Sequence, residues 1–376
     1  MSRIVLITGS TGMVGRNAAE MLIEEGFKIL TPTRSELDLM NSEEVMRYFK
    51  SNQIDIVLHA AGLVGGIQAN IEKPYSFLSV NSQIALNVIN ASIETGIERL
   101  INLGSSCMYP KDCQDELTED LILTGSLEPT NEGYAIAKIM ASKLCDYAQS
   151  EFGLSYKTLI PCNLYGKYDN FHPVKSHMIP AVIRKVHEGA KTNNPVEIWG
   201  TGEARREFMF VEDLIDFITW SLDNYDQLPN LMNIGLGHDY SIKEYYQAIV
   251  EVIGFTGDFT YDVSKPEGMK RKLCSIQKQS QLGWEPKHSL KEGLEKTFCC
   301  INARARDYAK IGRLYLNRGK WNNEQIISEE WVERSTKLDT SKGSAWFYQY
   351  QWWLPSKTGD FMAQGILGQY IYVNPN

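Results

Sequence analysis

The sequence predicts an α/β fold: a doubly wound parallel sheet, a smaller substrate-binding α/β lobe, and an α+β appendage at the C-terminus. Three observations carry this expectation. A β-branched apolar run, Ile4 to Ile7, leads straight into glycines 9, 12 and 15 and then into the amphipathic stretch NAAEMLIEEG. Further strand-like runs, FKILTPTR, IDIVLHAAG and RLINLGSS, follow in turn and end in small or polar residues. Near Phe298-Cys299-Cys300 the chain then changes character, from the Leu-spaced SLKEGLEKT to the Ala-, Arg- and Tyr-rich INARARDYAKIGRLYL.

Length and composition bound the reading. A chain of 376 residues suits two domains, or one large domain plus an appendage. A net charge of -8 argues against sequence-independent nucleic-acid binding, which needs a basic face. Seven cysteines, an odd number without metal-type spacing, indicate free thiols in a reducing compartment. The first residues form no leader pattern, and no apolar run reaches the roughly 20 residues of a membrane span. A cytoplasmic protein without a bound metal is expected.

The first strand, glycine turn and helix have the form a pyrophosphate needs. Backbone must approach the phosphates closely, and the helix N-terminus offers unsatisfied N–H groups and a positive dipole end. Gly9, Thr11, Gly12, Met13, Val14 and Gly15 are the residues expected there. The second strand ends at Thr33-Arg34, not at an acidic residue. An arginine suits a ribose 2′-phosphate, so NADP(H) is favoured over NAD; the bland alternative for Arg34 is a solvated loop arginine. Ala60, Ala61 and Gly62 close the third strand with small residues where a cofactor can pass. His59 has no partner histidine at metal spacing and reads as a packed side chain.

The fourth strand runs into Ser105, Ser106 and Cys107, and Tyr134 and Lys138 follow four residues apart, on one helical face. A phenol of ordinary pKa about 10 exchanges protons poorly at neutral pH, and a neighbouring ammonium is expected to lower that value. The Ser105 hydroxyl can bond the substrate oxygen that gains or loses the proton. Lys175, Arg206 and Lys272 supply donors for a diphosphate, and Trp199 an apolar face for a base or sugar.

With these residues the chain resembles the extended short-chain dehydrogenase/reductase superfamily. Through GSSCMYP, LEPTNEGYAIAK, PCNLYGKYDNFHPVKSHMIPA and WGTGEARREFMFVEDL it is similar to the GDP-L-fucose synthase family. The resemblance spans residues 1 to about 298. It implies a Rossmann-type NADP-binding core over 1–165, with segments near 206–236 returning to it, and a substrate lobe mainly over 166–298. It also implies an NADPH-dependent 3,5-epimerase/4-reductase acting on GDP-4-keto-6-deoxy-mannose, as a homodimer. In that reading Cys107 is the base and His177 the acid at C3 and C5, Tyr134 protonates C4, and Arg206 matches the family's arginine. Asn163, and with it Lys138 and His177, would border the cofactor. The words KRKLCS depart from the family's usual Arg-Lys-Leu, apolar residue and Asp, because Cys274-Ser275 stands there.

Residues 299–376 hold five of the eight tryptophans. ARARDYAKIGRLYLNRG reads as a helix from Ala303 that stops at Gly319, and SEEWVERST as a shorter one. YQYQWWLP and FMAQGILGQYIYVNP read as two strands around the turn SKTGD. This tail resembles the C-terminal part of serine β-lactamase-like hydrolases, but it lacks the Ser-x-x-Lys nucleophile, and Lys357-Thr358-Gly359 reads as coincidence. Three alternatives stand beside the leading one: another extended sugar-nucleotide epimerase or dehydratase, a serine hydrolase-like protein, and a catalytically silent NADP-binding fusion. Net NADPH consumption, ester or lactam turnover, and comparison with a chain ending at Phe298 separate them.

Overall fold

The computed structural model describes residues 3–113, 115–173, 176–265, 269–299, 305–322, 324–337, 348–349, 352–353, 361–364 and 370–373. It divides into two units, Met1–Cys300 and Ile301–Asn376.

The first unit starts with β1 (Ile4–Thr8), α1 (Met13–Glu24), β2 (Lys28–Leu30), α2 (Ser42–Ser51) and β3 (Ile56–His59). It continues with α3 (Ile67–Glu72), α4 (Pro74–Glu94), β4 (Arg99–Leu103), α5 (Glu132–Phe152), β5 (Ser155–Pro161) and β6 (Asn163–Tyr165). Then come α6 (Met178–Thr192), β7 (Val196–Trp199), β8 (Arg205–Arg206), β9 (Phe208–Phe210), α7 (Val211–Asp223) and β10 (Leu231–Ile234). The last elements are β11 (Tyr240–Ser241), α8 (Ile242–Ile253), β12 (Phe259–Asp262), β13 (Arg271–Lys272), α9 (Gln277–Gln281) and α10 (Leu290–Cys299).

Six strands form one sheet in the order β10-β5-β4-β3-β1-β2, and every pairing is parallel. A fully parallel sheet needs cover on both faces, and the alternation along β1 supplies it. Val5 and Ile7 point into a core with Ala18 and Leu22 of α1 and Leu214, Phe217 and Ile218 of α7. Leu6 points the other way, among Val45 and Phe49 of α2, Val88 and Ile89 of α4, and Ala141 and Cys145 of α5. Each large apolar side chain buried in this way contributes roughly 1.5–3 kcal/mol. This is the doubly wound α/β architecture the sequence predicts.

The chain order reverses direction across the sheet between β1 and β3, where Thr8 lies opposite His59. Such a switch point opens a crevice at the carboxyl ends of the strands. The lobe beyond the sheet holds the parallel pairs β7–β12 and β6–β9 and the three-stranded β11-β8-β13.

The second unit holds α11 (Ala305–Leu316), the hairpin β14 (Lys320–Trp321) with β15 (Glu324–Gln325), and α12 (Glu329–Thr336). An antiparallel sheet follows: β16 (Tyr348–Gln349), β17 (Trp352–Trp353), β18 (Phe361–Gln364) and β19 (Tyr370–Val373), in that order. Two expectations are corrected here. The helix ends at Leu316, before Gly319, because Arg318 and Gly319 both take positive φ and Gly319 N–H bonds back to Leu314 O at 2.8 Å. The two expected strands are four. In YQYQWW, Tyr348 pairs with Trp353 and Gln349 with Trp352. Lys357-Thr358-Gly359 and Trp346 lie outside the described residues. Among the described residues no helix is long and apolar enough to cross a membrane.

Candidate active site

The cofactor end is built from backbone. Gly9 leaves β1 with φ +74°, and a Cβ on it would lie 2.7 Å from the Ala61 backbone. Gly12 N–H bonds Gly9 O at 3.0 Å, and as the N-cap of α1 it offers no side-chain hydrogen bond to the first N–H groups of the helix. Thr11 and Gly12 are exposed, and Gly15 is buried against Gly9, where a Cβ would come within 2.3 Å of Gly9 O. An uncapped helix start with an open, side-chain-free approach fits a pyrophosphate.

Ala60, Ala61 and Gly62 follow β3 directly, and Arg34 is exposed beyond β2. The turn carrying Arg34 is stapled by Glu36, whose carboxylate accepts from Thr33 N at 2.7 Å and Thr33 Oγ1 at 2.8 Å. Those two bonds hold Glu36 below the usual carboxylate range. His59 is 2% exposed, bonds Thr8 Oγ1 through Nδ1 at 2.8 Å, and burial pushes its imidazole down to about 3. It is a neutral packing residue. Among the described residues no cluster of three or more His, Cys, Asp or Glu could hold a metal ion.

The chemical end lies beyond β4. Ser105 opens a short 3-10 turn, Ser106–Met108, and its Oγ accepts from Cys107 N at 3.4 Å. Lys138 is buried in α5, donates to Leu103 O at 2.8 Å, and stands 5.7 Å from the centre of the Tyr134 ring. Burial lowers Lys138 to about 8, with a smaller opposing pull from Cys107. The Cys107 thiol is raised by burial, against the charges of Lys272 and Lys138 and a hydrogen bond from Ser105. Lys272 reaches this cluster because the chain after β13 is tied to it: Leu117 N bonds Leu273 O at 2.8 Å and Ser275 N bonds Leu117 O at 3.0 Å.

One expectation is overturned. The Tyr134 phenol is raised, not lowered: burial dominates, a charge on Cys107 adds to it, and only the Ser105 hydrogen bond pulls the other way. The i, i+4 spacing delivers Lys138 to the ring, but its ammonium is committed to the Leu103 carbonyl.

Ser105, Cys107, Tyr134, Lys138 and Lys272 are therefore brought together. Asn163, on β6, donates from Nδ2 to Glu207 O at 3.0 Å, and Arg206 donates from Nη1 to its neighbour's carbonyl at 2.7 Å. His177 is the N-cap residue of α6; its side chain is exposed, and partial desolvation by the neighbouring protein lowers its pKa. Trp199 sits at the end of β7, 52% exposed, with Lys185 and Lys265 at 5.0 and 5.5 Å from its ring. Lys175 lies outside the described residues.

Four supporting residues were not singled out from sequence. Asn81, in the middle of α4, grips the loop after β3 through Leu63 N at 2.7 Å and Leu63 O at 3.1 Å. Gln279 pairs with both backbone groups of Gly235, at 2.9 and 3.0 Å. Glu207 is 1% exposed, and burial raises its carboxyl to about 7 against three backbone N–H bonds. Asp239 joins two arginines. Asn81, a buried polar residue in a largely apolar helix, offered a signal; Glu207, Asp239 and Gln279 stand beside polar neighbours and offered none.

Fold and site together define a doubly wound α/β protein in which a Ser, a Tyr and a Lys gather beyond a strand of the parallel sheet. The chain belongs to the NAD dependent epimerase/dehydratase family, which matches residues 5–235. It is 50% identical over 295 residues to a GDP-L-colitose synthase of Yersinia pseudotuberculosis, covering 78% of this chain and 96% of that protein. A GDP-L-fucose synthase of Azorhizobium caulinodans is 46% identical, covering 78% and 95%. Among solved structures, the GDP-mannoheptose C4 reductase MlghC of Campylobacter jejuni with NADP bound superposes with a TM-score of 0.74 at 31% identity, covering 80% and 99%. The resemblance of residues 299–376 to serine hydrolases is carried by none of the matches named here.

Proposed function

We propose that the chain is an NADPH-dependent 3,5-epimerase/4-reductase that converts GDP-4-keto-6-deoxy-mannose to GDP-L-fucose. The observation that carries this reading is the buried Cys107 thiol set within electrostatic reach of Tyr134, Lys138 and Lys272. An enzyme that only moves hydride at C4 needs the tyrosine but has no use for a thiol beside it. The glycine turn, Ala60–Gly62 and Arg34 would hold NADP(H), which supplies the hydride for C4. Cys107, as thiolate, takes the acidic proton from C3 or C5 of the keto sugar, and His177 is assigned as the acid on the opposite face. Tyr134, kept protonated by burial, then donates its proton to the C4 oxygen while Ser105 hydrogen-bonds that oxygen. Lys272 and Arg206 face the diphosphate, and Trp199 the base or sugar.

Incubation with NADPH and the keto-sugar nucleotide in D₂O tests the reading. Stoichiometric NADPH oxidation with deuterium at C3 and C5 of the product supports it; no NADPH oxidation, or product without solvent deuterium, overturns it. A second reading keeps the site and changes the substrate: the relative at 50% identity is a GDP-L-colitose synthase. Side-by-side kcat/KM for the two keto sugars decides between them. A cytoplasmic homodimer completes the proposal, supported by large apolar side chains exposed on the two long helices, Tyr75 on α4 and Tyr147 and Phe152 on α5. Sedimentation at micromolar concentration checks the dimer.

A further inference from the structure

β13 lies parallel to β8, with Arg271 opposite Arg205 and Lys272 opposite Arg206. Side chains alternate across a strand, so the four cations form two rungs on opposite faces of the ladder. On one rung, Arg205 Nε and Arg271 Nε converge on the Asp239 carboxylate at 2.6 and 2.5 Å, and Arg205 Nη2 also reaches Asp239 O at 2.6 Å. The Asp239 side chain is 3% exposed. The other rung carries Lys272, whose charge acts on Cys107.

A second carboxylate holds the backbone that follows. Glu207 Oε2 accepts from Cys274 N at 2.9 Å, and Oε1 accepts from Leu236 N at 2.5 Å and Gly237 N at 3.1 Å. The fit is close, because a Cβ at Gly235 would lie 2.4 Å from Glu207 Oε1. Glu207 thus joins β8, the turn after β10 and the end of β13, and its own carbonyl holds Asn163.

We infer that Asp239 and Glu207 are positioning residues for the anion subsite. Asp239, with Glu244 Oε2 3.4 Å from Arg205 Nη1, offsets the outward rung and by itself clamps both strands, Glu207 fixes the backbone of β13, and the charge of Arg206 and Lys272 is thereby presented to a nucleoside diphosphate. Without Asp239, the two arginines of the outward rung lose their shared carboxylate and β13 loses its side-chain tie to β8. This inference rests on the proposed GDP-sugar substrate, but GDP binding tests it independently of turnover.

The experiment measures GDP affinity by calorimetry and NADPH affinity by fluorescence on the full chain. Asp239→Asn and Glu207→Gln should each weaken GDP about tenfold or more, with NADPH within about twofold. Asp239→Asn with Arg271→Gln, which restores the charge balance, should recover most of the lost GDP affinity; a merely structural role would leave the double variant no better than the single. Unchanged GDP affinity in both single variants overturns the inference, as does an equal loss of GDP and NADPH affinity. If Asp239→Asn does not fold, Glu207→Gln decides by the same two criteria. Wild-type protein that binds GDP yet turns over no keto sugar defeats the proposed reaction and leaves the binding comparison to judge the positioning residues.

Discussion

Gly15 and Gly12 sit three residues apart in the same turn, and the structure assigns them opposite consequences. At Gly15, helix propensity alone favours alanine by about 1 kcal/mol. The added Cβ, however, would lie 2.3 Å from Gly9 O and 2.7 Å from Gly9 C, both rigid backbone atoms. Relief to an ordinary contact needs α1 to move by about 1 Å, and such overpacking costs about 1–3 kcal/mol, occasionally more. Gly15→Ala should therefore destabilise by up to about 2 kcal/mol net, a fall of up to a few degrees in Tm for a unit of this size. Shifting the helix start by that distance should weaken NADPH about ten- to a hundredfold. At Gly12 a Cβ would meet Gly9 O alone, at 3.4 Å, and the backbone, φ -84° and ψ 171°, suits any residue. Gly12→Ala should fold within about 1 kcal/mol of the wild type, yet its methyl stands on the exposed face a phosphate must approach, so NADPH should weaken about tenfold or more. Calorimetric melting and NADPH fluorescence titration on both variants read these effects. A Gly15→Ala protein with raised Tm and unchanged NADPH affinity would refute the packing argument, and a Gly12→Ala protein that binds NADPH normally would refute the assigned phosphate face.

Three further outcomes follow from the site. Tyr134→Phe should lower kcat for NADPH oxidation about 10²–10⁴-fold, whereas Cys107→Ser should suppress deuterium exchange at C3 and C5 and leave NADPH affinity unchanged; stopped-flow and mass spectrometry read the two. Lys138 is lowered by burial to about 8, so the native state loses this ammonium before the unfolded chain does, and kcat/KM should fall as pH rises through about 8; Lys138→Arg should move that limb upward. His59, lowered to about 3 from an ordinary value near 6.5, stays neutral in the fold while the unfolded chain protonates. Its contribution to stability is complete above pH 6.5 and is lost toward pH 3 at up to about 1.4 kcal/mol per unit; urea titrations of His59→Asn should show a flatter acid limb.

The legible parts of this protein are those where a local backbone requirement dictates residue type. The positive φ at Gly9 and the 2.3 Å approach at Gly15 admit glycine alone, so the cofactor turn could be read directly. The i, i+4 pair Tyr134/Lys138 likewise follows from helix geometry. The direction of the Tyr134 shift could not be read, because it depends on burial and on Cys107, which lies 27 positions upstream. Asp239 and Glu207 were missed for a related reason. Their partners at Arg271 and Cys274 are 32 and 67 positions away, and a lone carboxylate in a sequence carries no sign of which cations or amides the fold will bring to it. In the tail, aromatic content signalled strands, but where each strand turned back on itself was decided by pairing, not by propensity.

The electrostatics of Cys107 and Tyr134 bear on the order of steps in the proposed reaction. A negative charge on Cys107 raises the Tyr134 phenol further, so whenever the thiolate is present the tyrosine holds its proton more firmly. That is the state an epimerisation needs, since an early proton transfer from Tyr134 to the C4 oxygen, together with hydride delivery, would abolish the ketone that makes C3 and C5 acidic. Once Cys107 is protonated by the sugar, the opposing charge is gone and Tyr134 becomes the better acid of its two states. Lys138 and Lys272 favour the thiolate, against the burial that raises the thiol. On this argument, neutralising Lys272 should favour premature reduction, raising the share of C4-reduced product that has not exchanged at C3 and C5; an unaltered product ratio in Lys272→Met would show that the two groups act independently.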